Sequence, residues 1–306
     1  MCSKIEEEND LVSVIMPVFG RTDYLNESIK SVTNQSYKNI ELIIVNDNDP
    51  ESVHGIESHK IIQQHLKNKF IKYIRHKRNM NGAVARNTGL SKARGKYISF
   101  IDSDDFYVEN RIKKAVELLR NSDNEVGGFY SGIEFRVSGN IKRKYKNVRS
   151  GKFLKETLAC RFMIGSGSNL FIKKNVIEEL DGFDKEFLRH QDYEFLVRFF
   201  LRYKLISTNE VLVIKNNDNF NAPSYSILKS VKTKYLKKYK KHISNFSYSD
   251  RNYIYGMNFA ELAEAALKSK LKDESKYMYH KASMHGVNDI SLLTRRIFFS
   301  ILNFLR

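Results

Sequence analysis

Proline is scarce, with three in 306 residues, and no low-complexity tract interrupts the chain. Long disordered linkers are therefore not expected. Cysteine is scarcer still: Cys2 and Cys160 stand far apart, in neither a metal-binding nor a redox spacing. A disulfide framework is not expected, and a reducing compartment fits best. Long apolar runs are missing too. No stretch reaches the roughly 18 apolar residues that a membrane-spanning helix needs. Residues 1–10 are acidic and polar, with no basic stretch leading into an apolar one. No signal peptide is expected, and the location expected is cytoplasmic.

What the chain has in excess is positive charge, a net +17. Residues 226–306 hold 16 Lys+Arg against 6 Asp+Glu, more than half of that excess. An anionic partner is implied, either nucleic acid or an acidic membrane surface. A solvated basic helix surface would read the same way.

Residues 12–18 (Val-Ser-Val-Ile-Met-Pro-Val) form a short, β-branched apolar run, the pattern of a buried strand. Further strands are expected at 40–45, 71–75 and 97–101, then at 127–136, 168–172 and 210–215. Helices are expected from a cap at Thr22 or Asp23 to about 34, and at 56–67, 83–94, 108–120 and 192–203. Residues 180–188 read as a loop, and the chain beyond Pro223 as helical and lysine-rich. Strands alternating with helices give an α/β fold, a mostly parallel sheet with helices on both faces. The domains expected are 1–225 and a basic helical region at 226–306.

Ligands of such sheets bind outside the carboxyl ends of the strands, and two of those ends are acidic. One reads Asp102-Ser103-Asp104-Asp105. Three carboxylates so close repel one another unless a cation sits among them, and oxygen ligands select Mg²⁺ or Mn²⁺. A helix-capping turn would use the same residues. The other end carries Asp47 and Asp49, where a carboxylate can accept the N–H of a pyrimidine base or simply cap a helix. At 78–87, Gly82 permits a tight turn, and Arg86 with nearby amides can approach an anion. At 189–198, Asp192 opens a helix, where the N-terminal dipole favours the carboxylate a general base needs. Its neighbour His190 titrates near neutrality or serves as an ordinary surface histidine.

The order of these features resembles the inverting family 2 glycosyltransferases with the GT-A fold. The likeness rests on 12–19, 25–37 and 41–47, and on Asn79, Gly82, Ala85-Arg86-Asn87 and Gly89. It continues with Asp102-Ser103-Asp104 as the Asp-x-Asp motif, then Gly182-Phe183-Asp184 and Gln191-Asp192, covering about residues 11–215. The resemblance implies a metal-dependent enzyme that moves a sugar from a UDP-sugar donor to an acceptor hydroxyl. It implies that Asp47 holds the base against Pro17, with Asp49 as the other candidate. Asp102 would contact the ribose side and the metal, Asp104 would ligate Mn²⁺ or Mg²⁺, and Asp192 would be the base. Gly182, Phe183, Asp184, His190 and Gln191 would lie on the acceptor side. Two departures stand out: Gln191 where the family has an acid, and Asn46-Asp47-Asn48-Asp49 where it often has Asp-Asp-Gly-Ser. By analogy, the acceptor is a glycan or lipid-linked sugar of a capsule, O-antigen or related surface polymer.

Two other classes compete. A nucleotidyltransferase should carry a Gly-rich basic loop after the first strand, yet Phe19-Gly20-Arg21-Thr22-Asp23 has one glycine. A non-catalytic module could hold nucleic acid with Tyr235 and Tyr239 among the tail lysines. No nucleic-acid motif supports it, and no nucleic-acid partner is expected. Finally, residues 291–306 gather Leu293, Ile297, Phe298, Ile301, Phe304 and Leu305 on one helical side, with Arg295, Arg296 and Arg306 opposite. That pattern suits a peripheral anchor on the inner face of the plasma membrane, or a homodimer contact.

Overall fold

A computed structural model of the chain describes residues 10–216 and 223–287. The amphipathic stretch at 291–306 lies outside the described residues. The chain divides into two compact units: Met1–Lys152 with Met163–Phe220, and Phe153–Phe162 with Asn221–Arg306. The second unit thus takes in a short segment from the middle of the chain.

The first unit opens with β1 (Val12–Val18), α1 (Leu25–Thr33), β2 (Ile40–Asn46), α2 (Val53–His65), β3 (Ile71–Arg75), α3 (Gly82–Leu90) and β4 (Tyr97–Phe100). Strands β1, β2, β3 and β4 are parallel, in the spatial order β3-β2-β1-β4. Side chains of β1 alternate between the two faces. Val12, Val14, Met16 and Val18 join one apolar cluster with Leu25, Ile29 and Val32 of α1. Ile15 points the other way, onto α3. There Gly89 permits the approach, because a Cβ would lie 2.4 Å from Ile15 Cγ2. Helices therefore cover both faces of the parallel part. The cap expected at Thr22 or Asp23 is not formed; Tyr24 stands at the helix start without a side-chain cap bond.

Beyond β4 the sheet becomes mixed. The elements there are β5 (Asp105–Tyr107), α4 (Arg111–Arg120), β6 (Val126–Val137) and β7 (Asn140–Tyr145). After α5 (Leu154–Leu158), of the second unit, come β8 (Phe171–Lys173), α6 (Lys174–Glu179), α7 (Gln191–Arg202) and β9 (Lys204–Asn216). The order β3-β2-β1-β4-β8-β6-β9-β5 is completed by β7 on β6, with β8, β5 and β7 running antiparallel to their neighbours. The strand expected at 168–172 is displaced by a 3₁₀ turn at Gly167–Asn169.

In the second unit, α8 (Tyr225–Lys238), α9 (Lys240–Ser244), α10 (Tyr248–Lys268) and α11 (Lys272–Met284) follow one another. Tyr225, Leu228, Leu262, Ala263, Ala266 and Met278 form its apolar cluster. The buried Lys232 ammonium is matched by Glu261 at 2.7 Å and Asn258 at 2.9 Å, as a buried charge requires.

Candidate active site

The chain runs from β1 outward to β3 and then returns to β4 on the other side of β1. That reversal is the switch point at which ligands of open α/β sheets bind. The β1–β4 ladder ends at Ile15 and Phe100, whereas β1 stays paired with β2 as far as Val18 and Asn46. Pro17 sits beyond the last β4 pair, a position that tolerates its missing N–H.

Asp102, Asp104 and Asp105 directly follow the end of β4. The carboxylate of Asp102 receives Nη2 of Arg86 at 2.7 Å, and its amide donates to Ser168 Oγ at 2.9 Å. Burial opposes ionisation of Asp102, but the charges of Arg86 and then Lys215 hold its pKa below the usual value. Asp105 is fully buried. It accepts from Ser168 Oγ at 2.6 Å and Ser166 Oγ at 3.0 Å, and faces Lys215 Nζ at 3.4 Å. Burial raises its pKa against the pull of Lys215. Arg111, also buried, steadies the serine turn by donating to the Ser168 carbonyl at 3.2 Å.

Asp104 differs from its neighbours. Its backbone carbonyl accepts from Asn216 Nδ2 at 2.7 Å. Its carboxylate takes no bond from another residue among those described, and its side chain is open to solvent. Desolvation in the crowded strand end, and then the charges of Asp105 and Asp102, raise its pKa. Two protein cations thus offset two of the three carboxylates and leave Asp104 for a third. The expected gathering of three carboxylates about one ion is narrowed accordingly: Asp105 is closed off, and one oxygen of Asp102 is engaged by Arg86. An open carboxylate with room for phosphate oxygens and water is a donor set suited to Mg²⁺ or Mn²⁺.

At the β2 end, Asp47 is buried and heavily bonded. His76 Nδ1 lies 2.6 Å and the Met80 amide 2.9 Å from Oδ1, while Asn79 Nδ2 at 3.1 Å and the Asn81 amide at 3.0 Å reach Oδ2. A carboxylate offers about four acceptor directions. Four donors of residues 76–81 occupy them here. Asp49 is exposed, and one of its oxygens accepts from the Glu51 amide at 2.9 Å. Asn48 holds the turn after β1, accepting from the Gly20 amide at 2.8 Å.

The α7 side needs further corrections. Phe183 is buried, stacked on Phe195 at 5.0 Å and edge-on to Phe100 at 5.1 Å, so it is a core residue and not an acceptor contact. Gly182, at φ +61, presses on α3, where a Cβ would lie 2.6 Å from Asn87 Oδ1. Asn87 fastens the motif by exchanging hydrogen bonds of 2.7 and 2.9 Å with the Phe183 backbone. Asp184 turns its carboxylate to the Glu186 amide. Gln191 is buried and accepts from Arg86 Nη1 at 3.0 Å. His190 adopts a left-handed backbone and starts α7. Asp192, next to Gln191 in the first turn, is only partly buried. Of the sequence-expected residues, the structure joins Arg86, Asp102 and Gln191 by direct bonds and keeps Asp104 beside them. Sequence reasoning missed Lys215; the segment 165–169, expected on the acceptor side, instead turns Ser166 and Ser168 onto Asp105.

An Asp-x-Asp turn at the switch point of a mostly parallel sheet, with helices on both faces, defines a glycosyltransferase of the GT-A type. The chain belongs to glycosyl transferase family 2, whose model matches residues 13–181. It is 32% identical over 270 residues to an uncharacterized glycosyltransferase of Methanocaldococcus jannaschii, covering 82% of this chain and 88% of that one. The glycosyltransferase GlyA of Streptococcus pneumoniae is 33% identical over 217 residues, 67% of this chain but 30% of GlyA. The fold is shared with S. aureus TarS 1–349 in complex with UDP-GlcNAc, at a TM-score of 0.59 and 13% identity over 90% of this chain and 92% of that one. It is shared too with the mannosyltransferase PcManGT of Pyrobaculum calidifontis in complex with GDP-Man and Mn²⁺, at 0.56 and 14% over 94% and 83%.

Proposed function

We propose that this glycosyltransferase transfers a sugar from a UDP-sugar to an acceptor hydroxyl with inversion, using Mn²⁺ or Mg²⁺ at Asp104 and the open side of Asp102. The observation that carries the reading is the Asp104 carboxylate, open to solvent beside two carboxylates already matched by Arg86 and Lys215. A divalent ion held there would neutralise the leaving diphosphate. Arg86 holds a fixed positive charge beside the same place, and Pro17 and the β2 end wall the nucleoside side. Asp192 takes the proton of the acceptor hydroxyl, and the α7 N-terminus favours its ionised form. The UDP-GlcNAc complex of TarS supports a uridine donor, and the Mn²⁺ complex of PcManGT supports the metal. The test is a panel of UDP- and GDP-sugars with Mn²⁺, scored by slow donor hydrolysis. A UDP-sugar should be consumed, EDTA should stop the reaction, Mn²⁺ should restore it, and Asp104→Ala should abolish it. Turnover of GDP-sugars alone, or full activity in EDTA, would overturn the reading.

The place of action proposed is an anionic membrane surface, where a lipid-linked glycan acceptor of a surface polysaccharide would be met. No helix of the described residues is long and apolar enough to cross a membrane. Residues 223–249 contain no acidic side chain. Lys237, Lys240 and Lys241 of α8 and α9 are exposed, with no ion-pair partner among the described residues. Each such lysine near an anionic surface contributes on the order of 1 kcal/mol. Co-sedimentation should therefore require acidic lipid and weaken with salt. Equal binding to neutral vesicles would contradict this placement.

A further inference from the structure

Residues 136–152 carry seven Lys+Arg and no Asp or Glu. Four of the seven lie on the β6–β7 hairpin, which closes through Ser138 and Gly139, both at positive φ as a tight two-residue turn requires. Glu134 of β6 matches Arg136 at 2.6 Å and Lys144 at 2.8 Å. The other five, Lys142, Arg143, Lys146, Arg149 and Lys152, are exposed and have no carboxylate partner among the described residues. The place of the hairpin gives this charge a direction. Strand β6 runs antiparallel to β8, and β8 antiparallel to β4, so β6 points the same way as β4 and ends on the side of the sheet where Asp102 stands. Asp105, Lys215, Phe135 and Arg143 are successive cross-strand partners on β5, β9, β6 and β7. Residues paired in this way share one face of the sheet. Three strand spacings separate the first from the last, about 14 Å. The serine turn rests on the same face: a Cβ on Gly165 would lie 2.5 Å from Ile133 Cδ1, and Ser166 bonds Asp105. The Arg143 guanidinium lies over the Tyr145 ring, 4.1 Å from its centre, and Tyr145 meets Phe135 edge-on at 5.7 Å. A guanidinium held against a ring is already oriented, and its planar fork suits phosphate and carboxylate oxygens.

We propose that the β6–β7 hairpin binds a saccharide chain bearing phosphate or carboxylate groups, and holds it beside the acidic turn with Lys142, Arg143 and Lys146. The inference rests on the reading that the acceptor is a glycan, and adds that this glycan is anionic. Exposed cations without carboxylate partners gain from meeting fixed anions. The row from Arg143 through Phe135 and Lys215 leads from this surface to Asp105. Strand β7 exposes one large apolar side chain, Ile141, too little to enter a bilayer. Lysine on an edge strand also discourages pairing with another chain. That role asks nothing of Arg149 and Lys152, which lie beyond the strand.

Affinity electrophoresis of the full chain tests this, in gels containing polygalacturonate, dextran phosphate or neutral dextran. At least one acidic polymer should retard the wild type, and neutral dextran should not. The stronger of the two acidic polymers tells carboxylate from phosphate. Lys142→Ala/Arg143→Ala/Lys146→Ala should weaken the retardation roughly tenfold, as for the loss of three exposed ion pairs. Lys237→Ala/Lys240→Ala/Lys241→Ala removes as much charge from the second unit and should leave the retardation in place. Vesicles of phosphatidylcholine and phosphatidylglycerol should bind the hairpin variant as they bind the wild type. The proposal is overturned if neither acidic polymer retards the wild type, or if neutral dextran does so equally. It is overturned too if both triple variants lose retardation alike, if single-stranded DNA is held more tightly than either polymer, or if the hairpin variant loses vesicle binding and keeps polymer binding. The measurement needs neither donor nor metal. Consumption of a UDP-sugar without polymer retention would therefore sink this proposal and spare the donor reading, and retention without consumption would do the reverse.

Discussion

Arg86 of α3 and Gln191 at the start of α7 are joined by a 3.0 Å hydrogen bond, while the same guanidinium holds Asp102 at 2.7 Å. One planar group therefore sets the opening residue of α7 against the acidic turn, and Asp192 inherits that placement as the next residue. Gly82 leaves room for the contact, since a Cβ there would lie 3.1 Å from both Arg86 Nη1 and Gln191 Oε1. Gln191→Ala should lower kcat/KM by about tenfold, through an Arg86 left without one of its acceptors. Gln191→Glu keeps an acceptor for the same N–H and should retain most of the activity. Steady-state kinetics of the two variants decide the point, because equal losses would show that the acceptor oxygen is immaterial.

Lys215 and Asp105 are direct partners across the antiparallel β5–β9 pair, with Nζ 3.4 Å from the carboxylate. Asp105 is fully buried, and among the described residues Ser166 and Ser168 remain to it once the ammonium is gone. Removing one partner of a buried pair costs about 3–5 kcal/mol. Lys215→Met should fall at the lower end, about 3 kcal/mol, because the serines still donate and the separation is long. Urea denaturation measures it. A change below about 1 kcal/mol would mean that the two serines alone satisfy Asp105.

The parallel half of the fold was legible because strands buried on both faces read as unbroken apolar runs, as in Val12–Val18 and Ile40–Asn46. Strands β5 and β8 have three residues each, too few to show a period, and β7 is polar and exposed. Asp102, Asp104 and Arg86 were legible because each lies in a compact local motif. Lys215 was not. It stands 110 residues from Asp105, and only the β5–β9 register brings the two together. In the sequence it is one lysine among many. Phe183 was misjudged for the opposite reason: its motif is local, but its ring is drawn into the Phe100 and Phe195 cluster.

Acid should weaken the fold through Glu41. It is buried in β2, accepting from Ser13 Oγ at 2.6 Å and the Arg94 amide at 2.7 Å, and pairing with Lys72 at 2.8 Å. Burial opposes its ionisation. Lys72 first, then Ser13 and the Arg94 amide, overcome that and lower its pKa from 4.5 to about 2. A carboxyl group lowered in this way stabilises the folded state above its unfolded value. That contribution is lost as the pH falls from 4.5 toward about 2. The shift corresponds to about 3 kcal/mol. Glu41→Gln should be less stable than wild type at neutral pH, and its unfolding free energy should change less over the acid range. Urea titrations at a series of pH values test this, and parallel curves for the two proteins would clear Glu41 of the effect.

Asp192 has the exposure a proton acceptor needs. It lies in the first turn of α7, partly buried, with one oxygen taking the Tyr193 amide at 2.9 Å. None of its bonds reaches Arg86, Asp102 or Asp104, so its removal should leave the donor side in place. Asp192→Asn preserves the shape of the side chain and the bond from Tyr193 while removing the basic oxygen. Turnover should fall by roughly 10²-fold or more, as for loss of a general base, with Mn²⁺-UDP affinity unchanged. A single base acting on the acceptor hydroxyl makes one displacement at the anomeric carbon, so the product should show inverted configuration by NMR. Retention in the wild-type product would refute that mechanism. A loss that fell mainly on UDP affinity would instead move Asp192 to the donor side of the cleft.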